Sequence, residues 1–197
     1  AQRHWKITTY VASQCAYTTT PQHFDTPAHS QACLNWVHNV TDLLTKGRFD
    51  LVVMENRVSV TASGYNLKDS YPQYAKGYQQ VLERLSQAQL RVVGIRDTPA
   101  PGTSIPDCLA AHPGRYDACS GTRAAWLPPE PLTAAIANVR DPDIVEADLT
   151  RYICRRTVCD AVIGSVPVYF DGSHLTATFA KTLAPYLEPI LVATLSR

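Results

Sequence analysis

Apolar residues along this chain fall either into short blocks or onto helical spacing. Residues 5–11 alternate and are rich in β-branched side chains, which predicts a strand. A polar loop with prolines follows, to Thr26-Pro27, which reads as a helix N-cap with proline at the first helical position. Cys33, Leu34, Val37, Val40, Leu43 and Leu44 then share one helical face, and Gly47 ends the helix. The run 49–54 (FDLVVM) suits a buried parallel strand, and Glu55-Asn56-Arg57 leave its carboxyl end. Residues 59–70 read as a polar loop. Residues 71–88 read as a helix carrying Tyr74, Tyr78, Val81, Leu82 and Leu85, and 91–95 as a short strand.

The stretch 96–129 is long and irregular, with proline and glycine throughout. Ordered loops of that length are stapled or functional. A short helix over 131–139 and a strand over 143–147 come next. An apolar lead-in (Val166, Val168, Phe170) reaches a turn at Asp171-Gly172, and a helix follows over 175–195 with breaks expected at Pro185 and Pro189. Strands alternating with helices predict an α/β fold, a three-layer α/β/α arrangement around a central parallel sheet, in one domain over 1–197. Sites in such folds form outside the carboxyl ends of strands, where Asn56 and the turn at Asp171 and His174 both fall.

Composition narrows the function. The net charge is +1, from 18 basic and 17 acidic residues, and no basic stripe stands out, which argues against a nucleic-acid partner. The longest apolar stretch, 183–195, is too short to span a bilayer and is interrupted by Pro185, Glu188 and Pro189. The opening residues read as the tail of a helix running into a strand rather than as a signal peptide. The expectation is therefore a piece of a longer protein.

Six cysteines form three sequence-local couples: Cys15 and Cys33, Cys108 and Cys119, Cys154 and Cys159. Six cysteines allow fifteen pairings. Loop closure favours nearest neighbours, because short loops cost less entropy to close. Zinc is the competing reading, but there is no C-x-x-C and no histidine at ligand spacing beside a couple, so no metal is expected. Paired cysteines point to an oxidising compartment outside the cytoplasm.

Asp171 and His174, three apart, carry the candidate chemistry. A carboxylate there reaches a ring nitrogen of the imidazole and fixes its tautomer, leaving the other nitrogen as a general base. The plainer alternative is that Asp171 or Ser173 caps a helix and His174 is an exposed first-turn residue. D-x-x-H alone does not separate the two.

The surrounding text does. The segment CRRTVCDAVIGSVPVYFDGSHLTATFAKTLAPYL resembles the C-terminal end of SGNH-type domains fused to bacterial membrane acyltransferases of the acyltransferase-3 family. There a short cysteine loop precedes a V-I-G strand region, a Y-x-D-x-x-H-L-T turn and the closing helix. S-Q-C-A-Y, F-D-L-V-V-M-E-N-R and R-D-T-P-A-P-G with its following P-D-C-L resemble further family segments in order, over nearly the whole chain. The resemblance implies an SGNH hydrolase-like fold and the pairings Cys15–Cys33, Cys108–Cys119 and Cys154–Cys159. It also implies a catalytic pair in Asp171 and His174, with no cofactor.

The departure from the family lies at the N-terminal block. SGNH enzymes carry their nucleophile in a G-D-S segment on the first strand, and this chain has none. Ser13, Ser165 and Ser173 do not replace it convincingly. The serine and first strand are expected upstream, with loss in evolution as the alternative. Asn56 is a candidate oxyanion donor, set against a loop residue bonding its own backbone. Arg96-Asp97 reads as structural, and no counterpart of the family's glycine block is evident.

The function implied is that of an extracytoplasmic domain, tethered to an upstream membrane domain. The whole would O-acylate cell-envelope glycans or glycolipids with acyl groups delivered by the membrane part. An esterase using the same residues, and a glycan-binding domain without its serine, are the rivals. The chain alone is expected to be inactive.

Overall fold

The computed structural model describes residues 4–57 and 60–197. In chain order, α1 (Pro27–Lys46) leads to β1 (Val52–Glu55), and α2 (Leu67–Gln87) to β2 (Val92–Ile95). The connection that follows holds α3 (Ile105–Ala111), β3 (Gly121–Thr122) and α4 (Arg123–Trp126). Next come α5 (Pro131–Val139) and β4 (Ile144–Ala147). Three two-residue strands, β5 (Val158–Cys159), β6 (Val162–Ile163) and β7 (Val166–Pro167), precede α6 (Ala177–Leu195).

β1, β2 and β4 form a parallel sheet in that order, with Val52 opposite Val92 and Val92 opposite Ile144. One apolar cluster joins α1, α2 and α5 to the sheet through Val37, Val40, Tyr78, Leu82, Leu85, Val92 and Leu132. At Gly94 an added Cβ would fall 2.6 Å from Ile136 Cδ1, so the missing side chain is what lets α5 lie close against β2. A second cluster joins α3, α4 and α6 through Ile105, Trp126, Ile153, Val168, Tyr169, Phe179 and Leu183, and α6 runs against β2 and β4. The expected α/β fold with a central parallel sheet is present.

Local chemistry explains most element ends. Thr26 Oγ1 accepts the His29 N–H at 3.3 Å, Pro27 occupies the first turn of α1, and Gly47 ends it. The buried face of α1 is Cys33, Val37, Val40, Thr41 and Leu44, whereas Leu43 turns outward. α2 starts at Leu67, earlier than the apolar pattern predicts, because Asn66 Oδ1 accepts the Asp69 N–H at 2.9 Å and the first turns are solvent-facing. Pro72 is accommodated inside it.

The three couples are joined as Cys15–Cys33, Cys108–Cys119 and Cys154–Cys159. Cys108–Cys119 staples the irregular region, and Cys154–Cys159 packs beside it in the second apolar cluster.

Several expectations are corrected. Residues 5–11 form no strand, and Trp5, Ile7 and Val11 are exposed. Alternation gives a tendency to extend, but a strand persists only when a neighbour takes its backbone groups. Among the described residues no ladder forms with this segment. The opening residues 1–3 lie outside the described residues, as does the start of the loop expected from residue 59. The region 96–129 is broken by α3, a 3-10 turn over Tyr116–Cys119, β3 and α4 rather than irregular throughout. α6 continues through Pro185 and Pro189, which both lie on its exposed side, where only single backbone bonds are lost. The lead-in to Asp171 is no member of the parallel sheet, because β7 pairs antiparallel with β6.

Candidate active site

The site is built on a tight loop between β7 and α6. Thr176 N–H donates to Val168 C=O at 2.8 Å, and Phe170 N–H to His174 C=O at 3.0 Å, so the chain doubles back on itself. The Thr176 side chain accepts the Phe179 N–H and caps α6, so neither Asp171 nor Ser173 is its cap. His174 thus lies before the helix, in the loop. The loop is clasped from outside by the segment leaving β2: Gly102 N–H donates to Gly172 C=O at 2.9 Å, and Ile105 N–H to Asp171 C=O at 3.3 Å. An added Cβ at Gly172 would approach the Thr103 backbone to 3.1 Å, so a glycine suits this contact.

Inside the loop, Asp171 Oδ2 is 2.6 Å from His174 Nδ1. Its Oδ1 accepts two backbone N–H groups, those of Ser173 and His174, each at 2.7 Å. These two backbone donors, with the imidazole after them, hold the Asp171 carboxyl down at about 2. An ionised carboxylate only accepts, so Nδ1 carries the proton and Nε2 is left as the basic nitrogen. Both side chains are open to solvent, 58% exposed for His174 and 41% for Asp171. Ser173 Oγ lies 3.3 Å from Nδ1, the nitrogen already engaged, and is badly placed to serve Nε2. Among the described residues no serine hydroxyl is hydrogen-bonded to Nε2. Ser13 is exposed in a turn, and Ser165 lies in the exposed β6–β7 turn with φ 65°.

Asn56 follows β1 directly and is 8% exposed, with neither amide atom hydrogen-bonded to protein. The alternative of a loop residue satisfying its own backbone is therefore not what the structure holds. A buried amide without partners is costly, and such groups in folded proteins are retained where something else uses them. Among the described residues β1 pairs with β2 alone, and Val53 on it is 47% exposed.

Arg96 reaches Asp148 at 3.3 Å, tying the carboxyl end of β2 to that of β4, which is a structural role. Two buried side chains at this end of the molecule escaped the sequence reading. Glu130 caps α5, and burial pushes its carboxyl up. Tyr169 packs edge-on against Trp126 with ring centroids 5.8 Å apart, its hydroxyl unpartnered and raised by burial. Glu130 has no motif around it, and Tyr169, although it opens the Y-x-D-x-x-H turn, shows its buried place only in the fold. Against the expectation that no histidine stands at ligand spacing beside a couple, His112 lies four residues after Cys108, and Cys108, His112 and Cys119 bring ligand-type atoms within 4.8 Å of one another; both sulfurs are bonded to each other and neither is a thiolate.

A family model of the SGNH domain (fused to AT3 domains) matches residues 1–189. The chain belongs to this family. Its fold is similar to the solved structure of the Salmonella ser. Paratyphi A lipopolysaccharide acetyltransferase periplasmic domain, with a TM-score of 0.63. The identity is 12%, over 91% of this chain and 69% of that one. Among curated proteins, none matches this sequence. In the C-terminal loop of this SGNH domain Asp171 pairs with His174, while Ser173 meets only Nδ1 and, among the described residues, no serine is hydrogen-bonded to Nε2. Among the described residues no helix is long and apolar enough to cross a membrane.

Proposed function

We propose that this SGNH domain works on the extracytoplasmic face of the cell membrane as part of an O-acyltransferase acting on cell-envelope glycans or glycolipids. The observation that carries the reading is the Asp171–His174 pair, with Nδ1 held at 2.6 Å and Nε2 left basic. Membership of a family fused to AT3 domains supports a membrane acyltransferase as the source of acyl groups. Three disulfides support an oxidising compartment.

The nucleophile in this reading is a serine on a segment upstream of residue 1. Among the described residues β1 pairs with β2 alone, and Ile7 and Val11 are exposed on a segment that forms no ladder, which supports a further strand. The serine attacks the acyl carbonyl while His174 Nε2 takes its proton. Asp171 holds the ring and stabilises the imidazolium. The Asn56 amide donates to the oxyanion of the tetrahedral intermediate. Collapse expels the donor's leaving group, which takes the proton from the imidazolium, and leaves an acyl-serine with Nε2 basic again. The acceptor hydroxyl then attacks the acyl carbonyl, giving its proton to Nε2, and the serine oxygen leaves with that proton as the ester to the acceptor forms.

Mass spectrometry of envelope glycans tests this. A strain carrying the full-length parent protein is compared with one carrying His174→Ala. Loss of one ester-linked acyl modification in the variant is expected. An unchanged acylation pattern, with both proteins present at equal levels, would sink the proposal.

A further inference from the structure

One residue beside the pair is unexplained by packing. Phe170 is 59% exposed, although it follows the fully buried Val168 and Tyr169. Strict alternation would put it on the same side as Val168. Instead, Tyr169 forms a bridge with Leu175 and turns inward, while Phe170 N–H donates to His174 C=O. Partners across a narrow antiparallel turn project to the same side. The Phe170 and His174 rings accordingly lie stacked, with centroids 5.4 Å apart and planes inclined by 20°.

We infer that Phe170 is a positioning residue for His174, holding the plane of the imidazole while Asp171 holds one edge. This rests on the reading of His174 as the base. The contacts of Asp171 and Ser173 both meet the ring at Nδ1, so they fix one edge and leave an exposed ring free to swing about it. An aromatic face laid against the imidazole removes that freedom and keeps Nε2 at one bearing. The ring also favours the imidazolium as it forms, by cation–π attraction. An apolar side chain left in water is the cost of that arrangement, and packing alone gives no reason for it.

The test has two arms. In the first, the 15N and 13C signals of the His174 ring are recorded in the 197-residue chain and in Phe170→Tyr, Phe170→Leu and Phe170→Ala. Wild type and Phe170→Tyr are expected to show a single Nδ1–H tautomer and an ordered ring. Leucine, which keeps apolar bulk without a planar face, and alanine are expected to show a mobile ring and mixed tautomers. A ring as ordered in leucine and alanine variants as in wild type overturns the inference. In the second arm, the full-length parent is assayed. Phe170→Ala and Phe170→Leu should lower kcat about tenfold with KM unchanged, and Phe170→Tyr should restore it. Unchanged kcat in the leucine variant overturns the inference too. If the wild-type parent shows no His174-dependent turnover, the functional reading fails, and the first arm still decides whether Phe170 positions the ring.

Discussion

Asp171 holds His174 twice, through the imidazole Nδ1 at 2.6 Å and through the residue's own backbone N–H at 2.7 Å. The second hold makes the carboxylate a fixed part of the loop, so the pair is more than a surface ion pair between two mobile side chains. It also sets how the pair responds to acid.

The Asp171 carboxyl titrates at about 2, and the backbone donors rank ahead of the imidazole among the causes. Its folded value lies below its ordinary 3.8. The contribution of this carboxylate to stability is therefore complete above that value and is lost as pH falls through about 2. In His174→Ala the backbone donors remain. Carbon-13 NMR of the Asp171 carboxyl should still find it titrating below 3.8 in that variant. A full return to the ordinary value would show that the imidazole alone held it down.

Asn56 separates stability from activity. Its buried amide bonds to nothing in the protein, so Asn56→Leu should leave the urea midpoint of the chain unchanged or higher. In the full-length parent the same change should lower kcat by roughly 10²–10³, the usual loss of one oxyanion donor. A destabilised chain with a fully active parent would make Asn56 a structural residue.

Gly77 sits where two tendencies oppose. Alanine in mid-helix gains up to about 1 kcal/mol over glycine. Yet a Cβ at Gly77 would fall 2.2 Å from the hydroxyls of Thr18 and Thr20 and 2.8 Å from the Thr20 backbone nitrogen. The hydroxyls can turn, but the backbone cannot, so the clash should win. Gly77→Ala is expected to destabilise by about 1–3 kcal/mol in urea unfolding. A more stable variant would show that residues 18–20 give way easily.

The disulfides differ in how much chain they close, 18 residues for Cys15–Cys33 and 5 for Cys154–Cys159. Chain entropy assigns about 3 kcal/mol to the first and about 2 to the second. Replacing Cys15 and Cys33 by alanine together should lower the unfolding midpoint more than the same change at Cys154 and Cys159. The reverse order would mean that packing around the shorter loop matters more than closure.

Much of this was legible in the sequence, for reasons that differ by element. α1 was readable at both ends because Thr26-Pro27 and Gly47 are local signals. α5 was readable because Pro131 opens it. The start of α2 was not, since Leu67 and its neighbours face solvent and leave no apolar period; the Asn66 to Asp69 capping spacing was the available clue. The strand expected over 5–11 depended on a partner, and partnership is not encoded within the segment. Asp171 and His174 were legible from spacing and family text. The burial of Asn56, the backbone grip on Asp171 and the outward turn of Phe170 depend on chain geometry that no local pattern carries.

In the proposed function the base His174 and its orienting carboxylate Asp171 act on a nucleophile supplied from upstream. Hydrolysis of a short-chain aryl ester measures this most directly. The assay compares the 197-residue chain, the parent protein extended through its upstream segment, and the extended protein with His174→Ala. The extended protein should turn over, while the 197-residue chain and the His174→Ala variant should show little above background. Strong, His174-dependent turnover by the 197-residue chain alone would place the nucleophile within residues 1–197 and contradict the account.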